Sequence, residues 1–531
     1  MAGYILLIAI IILICLLMMK VSSKIGIPVL LAFILLGMLF GSDGIFKIYF
    51  DNYDVSEKIC SFALIFIMFY GGFGTNWKTA KPIVKKSILL SSLGVVITAL
   101  VTGLFCFLIL KMNFWESMLI GSVISSTDAA SVFSILRSKQ ISFKDNTASM
   151  LEMESGSNDP CSYMLTVMVL SAMKGEASGW SMVYMILAQI IFGVVFGVLS
   201  AWVTTFALSK MKNIKNGFDT IFVFSMALIS YAGSALIGGN GYLSTYIAGI
   251  ILGNKPLRNK ITLVHFFDGI TTLMQMLIFF LLGLLSFPSQ LPNILIPALA
   301  IAVFLTFVSR PIAVFAILTP FKCSLNQKLL VSWTGIRGAA SIVFAIMATV
   351  NPAYLKHDVF HIVFFIVLMS VSIQGSLIPL VSRKLNMIDD EGNIMKTFSD
   401  YSEEMPIQFV KINIIKDHPW INKKVRELTL LPGLPLVLIQ RGKNRLIPKG
   451  NTTIFQGDTV VLSALSLQDS SVGSLTEMKV EKENALCDKT LSEVKLDEDK
   501  FIVLIIRNEK YIIPNGRTLI REDDTLVISQ L

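Results

Sequence analysis

The chain has 531 residues, 54% of them hydrophobic and 15% charged, with a net charge of +9 and a mean hydropathy of +0.70. A soluble domain carries about 25% charged residues, so the composition excludes a purely soluble protein. The six cysteines are scattered and the four histidines do not cluster with them, which argues against a disulfide framework, a metal knuckle or a metal enzyme.

Apolar residues crowd into blocks up to about Ser382, after which charge density rises. A bilayer core about 30 Å thick needs about 20 apolar residues in helix. Thirteen segments meet that need, near 4-19, 25-41, 59-76, 84-110, 114-136, 147-173, 181-209, 218-237, 241-253, 264-286, 292-318, 330-349 and 357-381. The first, Tyr4 to Met19, has no basic flank before it and no small-residue cleavage site, so it reads as a retained helix.

Every second loop is basic: Lys20 and Lys24; Lys78, Lys81, Lys85 and Lys86; Arg137, Lys139 and Lys144; Lys210, Lys212 and Lys215. The series continues with Lys255, Arg258 and Lys260, then Lys322 and Lys328, then Arg383 and Lys384. Basic residues accumulate on the cytoplasmic side, so an N-terminus outside and a C-terminus in the cytoplasm are expected. The positive net charge follows from this loop bias and gives no reason to expect a nucleic-acid partner.

Ionisable residues inside apolar spans are costly and usually mark an ion path, a proton relay or a buried pair. Four stand out. Asp128 lies in I-G-S-V-I-S-S-T-D-A-A-S-V-F, where Ser125, Ser126 and Thr127 are poor helix formers. An unwound stretch is expected there, with freed carbonyls able to ligate a cation; a serine-rich kink around a buried Asp is the plainer alternative.

The sixth span carries L-E-M-E-S-G-S-N-D-P-C-S-Y, in which Ser155, Asn158 and Asp159 share one helical face and Pro160 removes an amide donor. Such oxygen donors suit a hard cation. A carboxylate held away from water needs either a proton or a metal ion to neutralise it, and competition between the two is the chemistry of an exchanger.

Arg337, in W-T-G-I-R-G-A-A-S-I-V-F, needs an anionic partner, and Glu154 is the candidate. The rival is that Arg337 faces a carboxylate of the ion site or a helix C-terminus. Gln374, in S-I-Q-G-S, reads as a helix–helix hydrogen bond.

These blocks together, S-T-D-A at 126-129, E-S-x-x-N-D at 154-159, G-x-R-G-A-x-S at 335-341 and Q-G at 374-375, resemble the cation:proton antiporter superfamily. The resemblance is to its sodium (potassium):proton branch of bacterial NhaP-like exchangers, and it covers most of residues 1 to 385. It implies an all-α fold of about thirteen membrane helices, with inverted repeats and discontinuous crossing helices. A homodimer in a bacterial plasma membrane is implied as well, with a dimerisation domain and a mobile core domain.

Carried over residue by residue, Asp159 is the expected ion- and proton-binding carboxylate. Asp128, Thr127 and Ser155 are its partners around a monovalent cation, K+ or Na+. Asn158 stands where the electrogenic branch has a second Asp, which implies one-for-one, electroneutral exchange. Glu154 and Arg337 match the structural ion pair. Pro160 departs from the small residue expected after the carboxylate.

After a polar linker, 386-405, the tail repeats at an offset of 66 residues: V-L-I-Q-R-G-K-N-R-L-I-P-K-G from Val437 aligns without gaps to V-L-I-I-R-N-E-K-Y-I-I-P-N-G from Val503. The pattern reads as strands joined by turns, with V-R-E-L at Val425 and L-S-E-V at Leu491 as candidate helices. Each copy, 406-470 and 471-531, resembles the TrkA-C type of RCK C-terminal subdomain, a small α+β regulatory module. Such modules often bind a small ligand, in some members a cyclic dinucleotide, and this favours potassium as the cargo. No glycine-rich fingerprint precedes them, so no dinucleotide cofactor is expected.

The alternative function is a cation channel with an RCK-like gate, but no repeated T-V-G-Y-G carbonyl filter is present. An organic-anion transporter would need more basic residues at mid-membrane than Arg337. An enzyme would need a nucleophile and base that the sequence does not offer.

Overall fold

Each long apolar block of the sequence folds as helix in the computed structural model. The structure describes residues 2–25, 28–75, 77–139, 141–175, 179–210, 217–255, 257, 260–351 and 357–389. In the tail it describes 407–415, 418–428, 435–442, 444–465, 474–480, 486–487, 489–494, 500–507, 510–512, 514, 516 and 518–530. The predicted linker from residue 390 onward, and the basic loop residues Lys212, Lys215 and Arg258, lie outside the described residues. The chain divides into two units, Met1–Glu403 and Glu404–Leu531.

Among its described residues the first unit is helical apart from one isolated bridge, Phe143 to Ile388: α1 (Ala2–Ile25), α2 (Val29–Phe40), α3 (Tyr53–Gly74), α4 (Val84–Leu108), α5 (Phe114–Val123), α6 (Ala129–Ser138), α7 (Thr147–Met173) and α8 (Gly179–Lys210). It continues with α9 (Phe218–Leu236), α10 (Gly241–Gly253), α11 (Lys260–Leu285), α12 (Ile294–Leu318), α13 (Leu325–Trp333), α14 (Ala339–Val350) and α15 (Val359–Lys384). Side-chain caps set several starts: Asn52 accepts from the Val55 amide, Asn240 from Leu243, Ser324 from Gln327 and Asp358 from His361.

Among the described residues, seven helices are long and apolar enough to cross a bilayer: α3, α4, α8, α9, α11, α12 and α15. A path of thirteen crossings takes in addition the shorter apolar helices α1, α2 and α10, the polar α7, and two interrupted pairs, α5 with α6 and α13 with α14.

Those interruptions recur. Ser125 and Gly335, which open the two non-helical stretches 125–128 and 335–338, are 210 residues apart. At this offset Thr127-Asp128-Ala129-Ala130-Ser131 falls on Arg337-Gly338-Ala339-Ala340-Ser341. Both α4 and α12 contain a π-helical turn, at Leu90–Gly94 and Leu305–Ser309; α15 has one at Ser370–Gly375. Such turns shift a helical face out of register and often mark functional positions.

Helices α2, α3 and α8 to α11 pack mainly on one another, as do α4 to α7 and α12 to α15, and the two groups meet chiefly where α3 faces α14, and also where α10 faces α7 and α11 faces α14. Gly72 on α3 and Gly249 on α10 set one close crossing, since a Cβ at either would run into backbone of the other helix.

The second unit holds two four-stranded antiparallel sheets. β1 (Ile407–Asn413), β2 (Leu436–Arg441), β3 (Asn444–Leu446) and β4 (Asp458–Leu465) are ordered β1-β4-β2-β3; β5 (Ser474–Lys479), β6 (Lys500–Arg507), β7 (Lys510–Ile512) and β8 (Thr525–Gln530) are ordered β5-β8-β6-β7. The copies match in detail. Ile414, Ile439, Ile454 and Val460 fill one core and their counterparts Val480, Ile505, Ile520 and Leu526 the other. The register shift at Leu436/Leu438 recurs at Ile502/Leu504.

The two candidate helices of the tail are corrected. Val425–Glu427 is a single 3-10 turn and 491–493 a plain turn. Four residues are too few to nucleate an α-helix, and Glu427 and Glu493 instead accept from the Lys424 and Thr490 amides, closing each turn.

Candidate ion-binding site

The two breaks meet: the Asp128 amide donates to the Ile336 carbonyl at 2.7 Å. The arrangement brings together four helix ends, the N-termini of α6 and α14 and the C-termini of α5 and α13. Helix N-termini expose amides and partial positive charge, and C-termini expose carbonyls and partial negative charge.

The side chains at the crossing answer both. Asp128 caps α6, accepting from the Ser131 amide at 3.3 Å and the Ser131 hydroxyl at 2.5 Å. Arg337 Nη1 donates to the carbonyls of Ser125 at 2.8 Å and Ser126 at 2.6 Å, just beyond the end of α5. Gly338 leaves the room Asp128 needs, because a Cβ there would fall on its carboxylate.

Helix α7 supplies the third wall. Ser155 Oγ donates to the Thr127 carbonyl at 2.7 Å, Asn158 Nδ2 donates to Thr127 Oγ1 at 2.6 Å, and Ser162 Oγ donates to the Ser122 carbonyl at 2.6 Å. One face of α7 is thus fastened along the first break. Pro160 is accommodated inside the continuous helix, and its carbonyl accepts from Asn240 Nδ2 of α10 at 2.8 Å.

The structure therefore brings Asp128, Thr127, Ser155, Asn158 and Asp159 to one place. A cavity of about 30 Å³ lies there, lined by Ser126, Thr127, Asp128, Asp159, Gly338, Ala339 and Ala340, with Leu64 and Ile67 of α3 and Gln275 and Phe279 of α11 opposite. That is more than the ~10–15 Å³ a single water needs, so a dehydrated monovalent cation fits. Asp159 Oδ1 and Asn158 Oδ1 are buried with no hydrogen-bond partner among the described residues. Buried acceptors are normally satisfied, and oxygens left this way are ready ligands for a hard cation.

The expected pair of Glu154 with Arg337 is corrected. Glu154 Oε1 lies 2.6 Å from Arg310 Nη1, with both side chains nearly fully buried, while Arg337 serves the carbonyls of the first break. Arg310 follows the π-turn of α12 directly, and the absence of a side chain at Gly335 lets it lie against the second break. Its signal was in the sequence: an arginine inside the predicted span 292-318, in F-V-S-R-P-I-A. Gln374 bridges as expected: its Nε2 donates to the Trp333 carbonyl at 3.5 Å and its backbone carbonyl accepts from Trp333 Nε1 at 3.3 Å, while its Oε1 accepts from Ser370, which itself accepts from the Arg337 amide at 3.1 Å.

In the tail, Arg441 grips Asp458 through Nε and Nη2, both at 2.8 Å, and also donates to the Thr453 carbonyl. Arg507 repeats this on Asp524 and the Leu519 carbonyl. The Arg441 hydrogen bonds hold the Asp458 carboxyl below its ordinary value. Burial pushes the Asp524 carboxyl up, but the bonds from Arg507 and the Arg521 amide outweigh it and leave it lowered.

Comparison with known proteins agrees with this architecture. Residues 8–384 match the family described as "Sodium/hydrogen exchanger, transmembrane", and residues 409–466 and 475–529 each match the TrkA-C domain. The chain is 35% identical over 463 residues to the K(+)/H(+) antiporter NhaP of Alkalimonas amylolytica, covering 86% of this chain and 80% of that one. It is 32% identical over 472 residues to the K(+)/H(+) antiporter NhaP2 of Shewanella baltica, covering 87% and 80%. The structure of the sodium proton antiporter MjNhaP1 from Methanocaldococcus jannaschii superposes with a TM-score of 0.63 at 22% identity, covering 72% of this chain and 98% of that one, which fixes the fold. With its helical unit matched almost from end to end, the chain belongs to the sodium/hydrogen exchanger family, with two TrkA-C domains following the membrane unit.

Proposed function

We propose that this multi-pass membrane protein exchanges K+, or Na+, for H+ by letting the cation and the proton compete for Asp159, with Asp128, Thr127, Ser155 and Asn158 completing the oxygen shell. The observation that carries this reading is the pair of buried, unpartnered oxygens, Asp159 Oδ1 and Asn158 Oδ1, beside a cavity of one-ion size at the crossing of two broken helices. The relatives named as K(+)/H(+) antiporters support antiport and favour potassium.

A charge count supports one-for-one, electroneutral stoichiometry. The ionisable side chains gathered around the breaks are Asp128, Glu154, Asp159, Arg310 and Arg337. With all five charged they sum to −1, which one proton or one monovalent cation cancels. Asn158 contributes an oxygen to the site without a charge. Glu154 and Arg310 hold the frame and stay outside the exchange.

On a thirteen-crossing path the two repeated units begin seven crossings apart and so run in opposite senses, an arrangement many transporters use for alternating access around a fixed site. The basic loops favour an N-terminus outside and a cytoplasmic tail in a bacterial plasma membrane, with a homodimer as the assembly. The TrkA-C pair tunes transport from that side through a small ligand, a cyclic dinucleotide being one candidate.

In inverted membrane vesicles with an acid interior, added K+ or Na+ should dissipate the gradient without net current, and Asp159→Asn should abolish the response. Exchange that survives Asp159→Asn defeats the site assignment, and a current accompanying exchange defeats the stoichiometry.

A further inference from the structure

The shell described so far is one-sided. Its polar groups come from the first break and α7, whereas the facing wall belongs to the other group of helices. Of the residues that α3 and α11 present to the cavity, Leu64, Ile67, Gln275 and Phe279, only Gln275 is polar.

Gln275 sits inside T-T-L-M-Q-M-L-I-F-F of α11, an otherwise apolar stretch. It is half-buried and lines the cavity across from Asp128 and Asp159, where a glutamine of a membrane helix has a polar group to offer across the gap. Phe279 lies one turn further along the same face and closes the wall beside it. The Gln275 amide therefore has access to whatever the cavity holds, and a carbonyl oxygen is a suitable ligand for a hard cation.

We propose that the Gln275 side-chain carbonyl is a cation ligand supplied from the opposite wall, and that it sets the preference for K+ over Na+. This rests on the assignment of the ion to Asp159. A neutral oxygen completes the shell without altering the −1 sum of the buried charges, so the ion is held by both helix groups while the stoichiometry stays one to one. The larger, more weakly hydrated K+ gains more than Na+ from an additional weak-field carbonyl oxygen, since the number and field strength of such dipoles govern that choice.

The test uses the full chain in inverted vesicles and measures the initial rate of gradient dissipation against K+ and, separately, against Na+, with Asp159→Asn as the control. Gln275→Leu keeps the shape and removes the oxygen; the apparent KM for K+ should rise about fivefold, the worth of one neutral polar contact, the KM for Na+ should rise less, and the maximal rate should stay within about twofold. Gln275→Glu keeps an oxygen in place and adds charge, so its KM for K+ should fall below that of the unmodified protein. A KM for K+ unchanged in Gln275→Leu, or a lower maximal rate at constant KM, overturns the proposal. If the Leu protein fails to insert, an unchanged KM in Gln275→Glu does the same. Loss of exchange in Asp159→Asn alongside an unaffected Gln275 series would sink this proposal alone, whereas exchange that survives Asp159→Asn would sink the site assignment beneath it.

Discussion

The partner of Glu154 can be decided by mutational coupling. Its carboxylate approaches Arg310 Nη1 at 2.6 Å, while Arg310 Nε and its other terminal nitrogen make no hydrogen bond among the described residues. Removing one member of a buried pair costs about 3–5 kcal/mol, because the other charge stays buried and unpaired. Since a single nitrogen makes the contact, the low end, about 3 kcal/mol, is expected for Arg310→Met or Glu154→Gln. The helical unit runs over 403 residues, and at about 2.1 cal/mol/K per residue its melting entropy is about 0.85 kcal/mol/K. Each single variant should therefore melt about 3–4 °C lower in detergent, and the double variant Glu154→Gln/Arg310→Met no lower than either single. A parallel cycle of Glu154→Gln with Arg337→Met should be close to additive, as Arg337 is committed to the Ser125 and Ser126 carbonyls. Additive losses in the first cycle together with coupling in the second would restore the pairing expected from sequence.

Asn158→Asp changes the buried sum from −1 to −2 and should convert silent exchange into a current-carrying one, read as a transient current on a supported membrane. Gly338→Ala places a methyl group on the Asp128 carboxylate and should cut transport at least about tenfold, on the scale of the ~1.4 kcal/mol that a tenfold change represents, while the protein still inserts. Arg507→Met strips Asp524 of a bidentate partner; hydrogen exchange should accelerate in the second sheet while the first keeps its protection, and Arg441→Met should give the mirror result. Because the folded carboxyls of Asp458 and Asp524 titrate below their ordinary value, their stabilising share is present above about pH 4 and is lost as pH falls through the lowered folded value. Both sheets should hold their exchange protection from pH 8 to 5 and lose it on further acidification.

Much of this architecture was legible because the membrane makes charge expensive: Asp128, Glu154, Asp159 and Arg337 stood out against apolar sequence. The face of Ser155, Asn158 and Asp159 followed from helical spacing, and the break before Asp128 from three adjacent hydroxyl residues. Pairing was harder to read. Spacing along one helix does not say which distant arginine reaches Glu154, and nothing local to F-V-S-R-P-I-A directs Arg310 toward α7. Gln275 carries no charge and is followed by ten apolar or glycine residues, Met276–Leu285, in no motif, so composition could not flag it; only the cavity wall it occupies brings it to notice. In the tail, the repeat exposed the strands, whereas V-R-E-L and L-S-E-V had helical composition in a segment too short to use it.

The internal repeat also explains why the site is unsymmetrical. Both halves make the same break, and each break leaves the same unmet need: amides at one helix start and carbonyls at one helix end. Two identical breaks with an acid at each would place two carboxylates against one another at the crossing, because the position equivalent to Asp128 touches its carboxylate. Glycine at 338 removes that collision, and arginine at 337, equivalent to Thr127, carries the positive charge into the first break, where it meets the carbonyls of Ser125 and Ser126. The second break therefore supplies cation and space, and the first supplies acid and hydroxyl. The acid and hydroxyl side chains of the first break line the cavity, and α7 lies along that break. The proposed single exchangeable charge in a fold built from two similar halves accords with this division.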